Sequence, residues 1–181
     1  MTLDGGVLLW IQAHLRGPVQ DAAVSFYTTL GNAGVIFILL AALMLCFRKT
    51  RRTGFTALLA LTIGFVFTNL ILKNLIARPR PWLDVTGLIA LVAEHDPNSF
   101  PSGHTTAAFA FAGALWHASP EKWMKWTAVV AAILMGYSRL HIGVHYPSDV
   151  LAGVLVGLCA GWIAWKLIKK GQFNEKFPNL F

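Results

Sequence analysis

Residues 137–150 read YSRLHIGVHYPSDV. An arginine, two histidines and an aspartate stand here between two apolar runs, 126–140 and 148–168. Apolar runs of this kind belong in a bilayer. Titratable side chains at the junction of two such runs form either a polar loop or a reactive site, and the rest of the chain decides which.

Of the 181 residues, enough for one domain, 56% are hydrophobic and 13% charged. Soluble domains carry about 25% charged residues. With a mean hydropathy of +0.59, the composition indicates a membrane protein. Seven tryptophans suit the bilayer interface. A net charge of +7 would suggest nucleic acid for a soluble chain, but here the placement of the charges matters more than their sum, and no nucleic-acid partner is expected. Cys46 and Cys159 lie inside apolar runs without CxxC spacing. They indicate neither a disulfide framework nor a zinc site and read as small core hydrophobes. The first residues lack a basic segment and a small-residue cleavage site, which indicates no cleaved signal peptide.

Five segments approach the roughly 20 apolar residues that a crossing needs: about 30–47, 53–72, 103–117, 126–140 and 148–168. Residues 4–29 carry Asp4, His14, Arg16, Pro18 and Asp21 and read as helices lying on the membrane surface. The expected fold is all-α, a polytopic membrane helix bundle with five transmembrane helices plus N-terminal interfacial helices. It forms a single domain over 1–181, with interfacial helices over 1–29, the core over 30–168 and a cytoplasmic tail over 169–181. With five alternating spans, the basic residues at 48–52, Lys122, Lys125, Lys166, Lys169, Lys170 and Lys176 share one side, which the positive-inside rule makes cytoplasmic. The N-terminus is then outside, as are the loops 77–100 and 139–148. Gly153, Gly157 and Gly161 form a small-residue stripe that lets another helix approach closely, and the alanine-rich third span suits as its partner.

Three short clusters fall on the outer side. In KNLIARPRP, Lys73 ends the second span, and Arg78 and Arg80 are held by Pro79 and Pro81. A lysine at a helix end also fits simple snorkelling, but prolines restrict the backbone and aim the guanidinium groups. In SFPSGHTT, a helix start leaves the N–H groups of Ser102 and Gly103 able to face an anion. His104 stands at the edge of that position, where it equally fits a helix cap. In the opening stretch, Arg139 ends the fourth span, and His145 precedes Pro147, which suits a first helical turn. Asp149 is close enough to bond the imidazole of His145, fixing its tautomer; an aspartate there also suits the helix dipole. Together these are the parts of phosphoryl transfer: fixed positive charge, a nucleophile and an acid for the departing oxygen. No acidic cluster for magnesium accompanies them, so no metal and no cofactor is expected.

The pattern Lys73-x6-Arg80-Pro81, Pro101-Ser102-Gly103-His104 and Ser138-Arg139-x5-His145-x3-Asp149 resembles the tripartite signature of the type 2 phosphatidic acid phosphatase superfamily, metal-independent lipid phosphatases whose soluble relatives include vanadium haloperoxidases. The resemblance implies that His145 is the nucleophile, oriented by Asp149, and passes through a phosphohistidine. It implies that His104 protonates the departing lipid oxygen and later activates water. Lys73, Arg80 and Arg139 would hold the phosphate, with hydrogen bonds from Ser102 and Gly103. Arg78 lies outside the signature and has at most a secondary role; His95 and His141 read as loop residues.

A haloperoxidase is disfavoured by the apolar spans. An anion transporter is disfavoured because the charges cluster at one interface rather than along a path. The compact form resembles bacterial undecaprenyl diphosphate phosphatases, which act on the outer face of the cell membrane. Phosphatidylglycerophosphate, phosphatidic acid and lipid A phosphatases share the signature. The expected partners are the bilayer and a lipid phosphate or diphosphate.

Overall fold

Gly34 and the prolines punctuate the chain where the apolar pattern alone would let helices run on. The computed structural model describes residues 3–170, so the tail beyond them lies outside the described residues. Helix α1 (Leu3–His14) buries Gly5, Leu8 and Ile11, one face at three-residue spacing. Helix α2 (Pro18–Leu30) starts on a proline at its first turn, where the missing N–H costs nothing. A short turn, Asn32–Gly34, leads to α3 (Val35–Leu45) through Gly34 at φ 70°. The first expected crossing, 30–47, is therefore divided: α3 has only 11 residues, and it meets α2 at a 51° bend. The glycines at 31 and 34 make that break.

Helix α4 (Arg51–Phe65) continues without interruption through a π-helical segment, Val66–Leu72, into α5 (Lys73–Ile76). Wide helical turns of this kind recur at functional sites. This one is tied to a later helix by the Thr68 hydroxyl donating to Thr106 Oγ1 at 3.0 Å. The rod stops at Ala77, whose φ of 46° and ψ of 40° are left-handed, a conformation that costs an L-residue roughly 1–2 kcal/mol. Helix α6 (Pro81–Asp84) follows. The loop after it returns to α7 (Gly103–Ala118), capped by the Ser102 side chain accepting from the Thr105 N–H. Helices α8 (Lys122–His141) and α9 (Pro147–Lys170) complete the chain. Among the described residues there is no strand, only an isolated Pro79–Asn98 bridge.

Helix α7 is the axis, packing against α9, α4 and α8. The glycine stripe of α9 explains its closest contact. A Cβ on Gly157 would stand 2.6 Å from the Thr106 carbonyl oxygen, and one on Gly161 2.8 Å from the Ala114 nitrogen. Around this small-residue core, Leu43, Phe65, Ile133, Leu151, Leu155 and Leu167 point outward and are exposed, as expected of a surface that meets lipid rather than water. Cys46 and Cys159 are also exposed, so they belong to this outer face and not to the core. Two helices among the described residues are long and apolar enough to cross a membrane, Arg51–Ile76 and Pro147–Lys169, and a third arises if α2 and α3 are counted as one bent span. The C-terminal ends of α5 and α8 and the N-terminal ends of α7 and α9 meet at one rim, where the charged motifs gather.

Gly157→Val should force α7 and α9 apart. Overpacking of this kind costs about 1–3 kcal/mol, and the expected result is a lower midpoint of thermal denaturation in detergent; an unchanged midpoint would show that the two helices can separate freely.

Candidate active site

The rim brings together side chains far apart in sequence, such as Thr28 and Arg139, which are separated by 111 residues. Lys73 is nearly buried at the end of the π-helical segment, and Arg80 and Arg139 are each only 1% exposed. Charges so deep need partners, and the loop before α7 supplies them. Asp96 pairs with Lys73, and its backbone carbonyl accepts from Arg80 Nε at 3.0 Å. Glu94 lies between two arginines, paired with Arg139 and 3.7 Å from Arg80. Arg139 also donates from Nη1 to Thr28 Oγ1 at 2.7 Å. Burial alone would push the Asp96 carboxyl up, but the hydrogen bond and charge of Lys73, the Asn98 N–H and Arg80 together hold it below the usual range.

His145 sits in the turn before α9, 2% exposed. Its Nε2 is 3.0 Å from Arg80 Nη1. A guanidinium can only donate, so Nε2 must be the acceptor, and the ring proton belongs on Nδ1. That nitrogen faces Asp149 Oδ2 at 3.6 Å, longer than a hydrogen bond. Burial, then the positive charges of Arg139, Arg80 and Lys73, push the His145 pKa well below its ordinary value. The ring is therefore neutral at pH 7, with its Nε2 lone pair directed at Arg80.

His104 begins α7, and its Nε2 is 3.0 Å from Asn32 Oδ1 in the turn after α2. Lys73, Arg80, Glu94, Gly103, His104 and His145 line one cavity of about 580 Å³. The same cavity descends along Ile38, Leu58, Leu61 and Phe65, so a charged mouth opens onto an apolar groove. Among the described residues, no group of three His, Cys, Asp or Glu side chains could hold a metal ion.

Ser102 departs from expectation. Its N–H donates to the Asp149 carbonyl at 3.1 Å, and its hydroxyl accepts from Thr105. Its N–H is therefore committed to joining α7 to α9 instead of facing an anion; Gly103 does line the cavity. His141 is not a loop residue. It ends α8, 1% exposed, and bonds Asp21 at 2.8 Å through Nε2 and the Tyr137 hydroxyl through Nδ1. His95 is exposed in the loop. The site residues that sequence reasoning missed are Glu94, Asp96, Asn32 and Thr28. The two acids did carry a signal: the loop 85–99 holds them in a chain with only eight acidic residues, opposite a basic motif.

The profile of the PAP2 superfamily matches residues 54–173. The chain belongs to the PAP2 superfamily. It is 35% identical to an undecaprenyl-diphosphatase of Sulfolobus acidocaldarius over 77% of this chain and 67% of that one. Among solved structures, it is similar to Aquifex aeolicus LpxE, with a TM-score of 0.81 and 31% identity over 92% of this chain and 96% of that chain. It also resembles a transmembrane PAP2-type phosphatidylglycerolphosphate phosphatase from Bacillus subtilis, with a TM-score of 0.74 and 30% identity over 92% and 85% of the two chains. This PAP2 protein is a membrane lipid phosphatase.

Because Glu94 already neutralises Arg139 and Arg80, a phosphate entering the cavity competes with it. Glu94→Gln removes the competing charge at constant shape. It should tighten inhibition by inorganic phosphate about tenfold, equivalent to roughly 1.4 kcal/mol. An unchanged inhibition constant would remove this carboxylate from the charge balance of the cavity.

Proposed function

We propose that this PAP2 enzyme removes the terminal phosphate of undecaprenyl diphosphate, through a phosphohistidine at His145, on the outer face of a bacterial cell membrane. One observation carries the reading: the acceptor nitrogen of a neutral, buried His145 faces Arg80 at the mouth of a cavity whose deeper wall is apolar.

Chemically, Arg80 turns from Nε2 of His145 to the phosphate, the released Nε2 lone pair attacks the terminal phosphorus, and the bond from that phosphorus to the oxygen of the departing lipid phosphate breaks. Lys73, Arg80 and Arg139 stabilise the equatorial oxygens, and Gly103 lines the cavity beside them. His104 gives a proton to the lipid phosphate that leaves, then takes one from a water that attacks the phosphohistidine. The P–N bond breaks, inorganic phosphate departs, and both imidazoles return to their starting state. Asp149 faces the Nδ1 proton and balances the positive charge that His145 gains on phosphorylation. Lysine and arginine supply the positive charge throughout, so no metal step is needed. Glu94 and Asp96 must yield the cations when phosphate arrives.

Five crossings, built from the α2–α3 pair, α4–α5, α7, α8 and α9, would put the basic ends of α4, α8 and α9 in the cytoplasm and the cavity outside, with α1 on the surface. The packing of α7 against α4, α8 and α9 supports a single-domain arrangement. The name of the Sulfolobus relative favours a polyprenyl diphosphate. A second reading, phosphatidylglycerophosphate, is favoured by the likeness to the Bacillus subtilis structure.

Phosphate release from purified undecaprenyl diphosphate, phosphatidylglycerophosphate, phosphatidic acid and lipid A, with and without chelator, tests the proposal. Undecaprenyl diphosphate should turn over fastest and be insensitive to chelator. His145→Ala should lose at least about 10³-fold in kcat, as when a nucleophile is deleted. Dependence on a divalent metal, or a His145→Ala variant that still turns over, would refute the mechanism; preference for another lipid would refute the substrate.

A further inference from the structure

Arg78 stands apart from the cations that face the cavity. Its Nη1 donates to Asp149 Oδ1 at 2.8 Å and to Ser148 Oγ at 2.6 Å, and its Nη2 to Asp4 Oδ2 at 3.1 Å. The guanidinium lies 3.8 Å over the ring of Tyr146, and the Ser148 hydroxyl donates to Asp4. One side chain thus joins α1, the basic motif and the first turn of α9. Its backbone is equally constrained, with left-handed Ala77 before it and Pro79 after it.

Asp149 is fully buried. Its Oδ2 accepts from the Tyr146 N–H at 2.9 Å and faces His145 Nδ1 at 3.6 Å. The neighbour across that gap is a neutral ring, which offers no countercharge in the resting enzyme. Arg78 does, and from the opposite oxygen, so its bond leaves Oδ2 directed at the histidine. The fork geometry of a guanidinium suits this better than a point charge would.

We propose that Arg78 is a positioning residue for the phosphatase reaction: anchored by Asp4 and Tyr146, it holds Asp149 so that one carboxylate oxygen faces Nδ1 of His145. The proposal rests on the reading of His145 as nucleophile. Arg78 touches neither the phosphate nor the attacking nitrogen. It acts where the imidazole becomes cationic, and so affects the chemical step rather than binding. The Asp4 contact makes α1 part of the same assembly.

The test is a double-mutant cycle on the full-length protein in detergent, with undecaprenyl diphosphate, or the best-hydrolysed lipid of the panel, as substrate. Arg78→Ala should lower kcat about 10- to 100-fold, the usual scale for losing the partner of a site ligand, with KM within about twofold. In an Asp149→Ala background, the same change should cost less than about twofold, because both act through His145. Wild-type kcat in Arg78→Ala, a raised KM at unchanged kcat, or losses that multiply in the double variant would each overturn the role. If Arg78→Ala does not yield folded protein, Arg78→Gln carries the test: lowered kcat with unchanged KM supports the proposal, and wild-type kcat or raised KM overturns it. Asp149→Ala with full activity would overturn the nucleophile reading and this proposal together. A crippled Asp149→Ala beside an intact Arg78→Ala overturns the Arg78 role alone.

Discussion

Buried positive charge is the constraint around which this bundle is built. Lys73, Arg80 and Arg139 are nearly removed from solvent at the rim of a helix bundle whose outer surface is apolar. An unpaired ion in such a place carries a desolvation penalty of several kcal/mol. The loop before α7 must therefore return across the rim and bring Glu94 and Asp96 to the cations. Its course is dictated by charge more than by hydrophobic burial, since most of its side chains are polar or only half-buried.

This pairing leaves the cationic cluster in a useful state. The carboxylates pair with Lys73, Arg80 and Arg139, so the cations are held in place at the rim. A preorganised cradle needs little rearrangement when charge develops in the transition state. The cost is competition between the resident carboxylates and any incoming phosphate. Burial and positive neighbours also keep His145 neutral, and the donor-only chemistry of Arg80 selects which ring nitrogen carries the lone pair.

The packing of the helices serves the same end. Gly153 and Gly157 let α9 lie directly against the first turns of α7, where a Cβ on Gly153 would stand 2.8 Å from the Ser102 carbonyl oxygen. The Ser102 N–H then reaches the Asp149 carbonyl. Two motifs distant in sequence are locked together by a backbone bond, and the position of Asp149 depends on the absence of side chains farther along the same helix. The strained Ala77 plays a related part by ending the long α4–α5 rod abruptly enough for Arg78 and Arg80 to turn inward.

The sequence by itself determined the helical class and the rim to which the charged motifs belong, and it offered Lys73, Arg80, His104, Arg139, His145 and Asp149 as the residues proposed to act there. These were legible because each motif is local: prolines, a helix start and apolar periodicity act over a few residues. The glycine stripe was legible for the same reason. Only the tertiary structure decided which acids neutralise the cluster, because Glu94 and Asp96 meet Arg139 and Lys73 across a loop with no periodicity. It also committed the Ser102 N–H to α9, turned both cysteines outward, buried His141 against Asp21 and divided the first apolar segment at its glycines. Those outcomes turn on distances between groups that no local pattern encodes, and in a low-dielectric interior a few ångströms decide whether a charge is paired or costly.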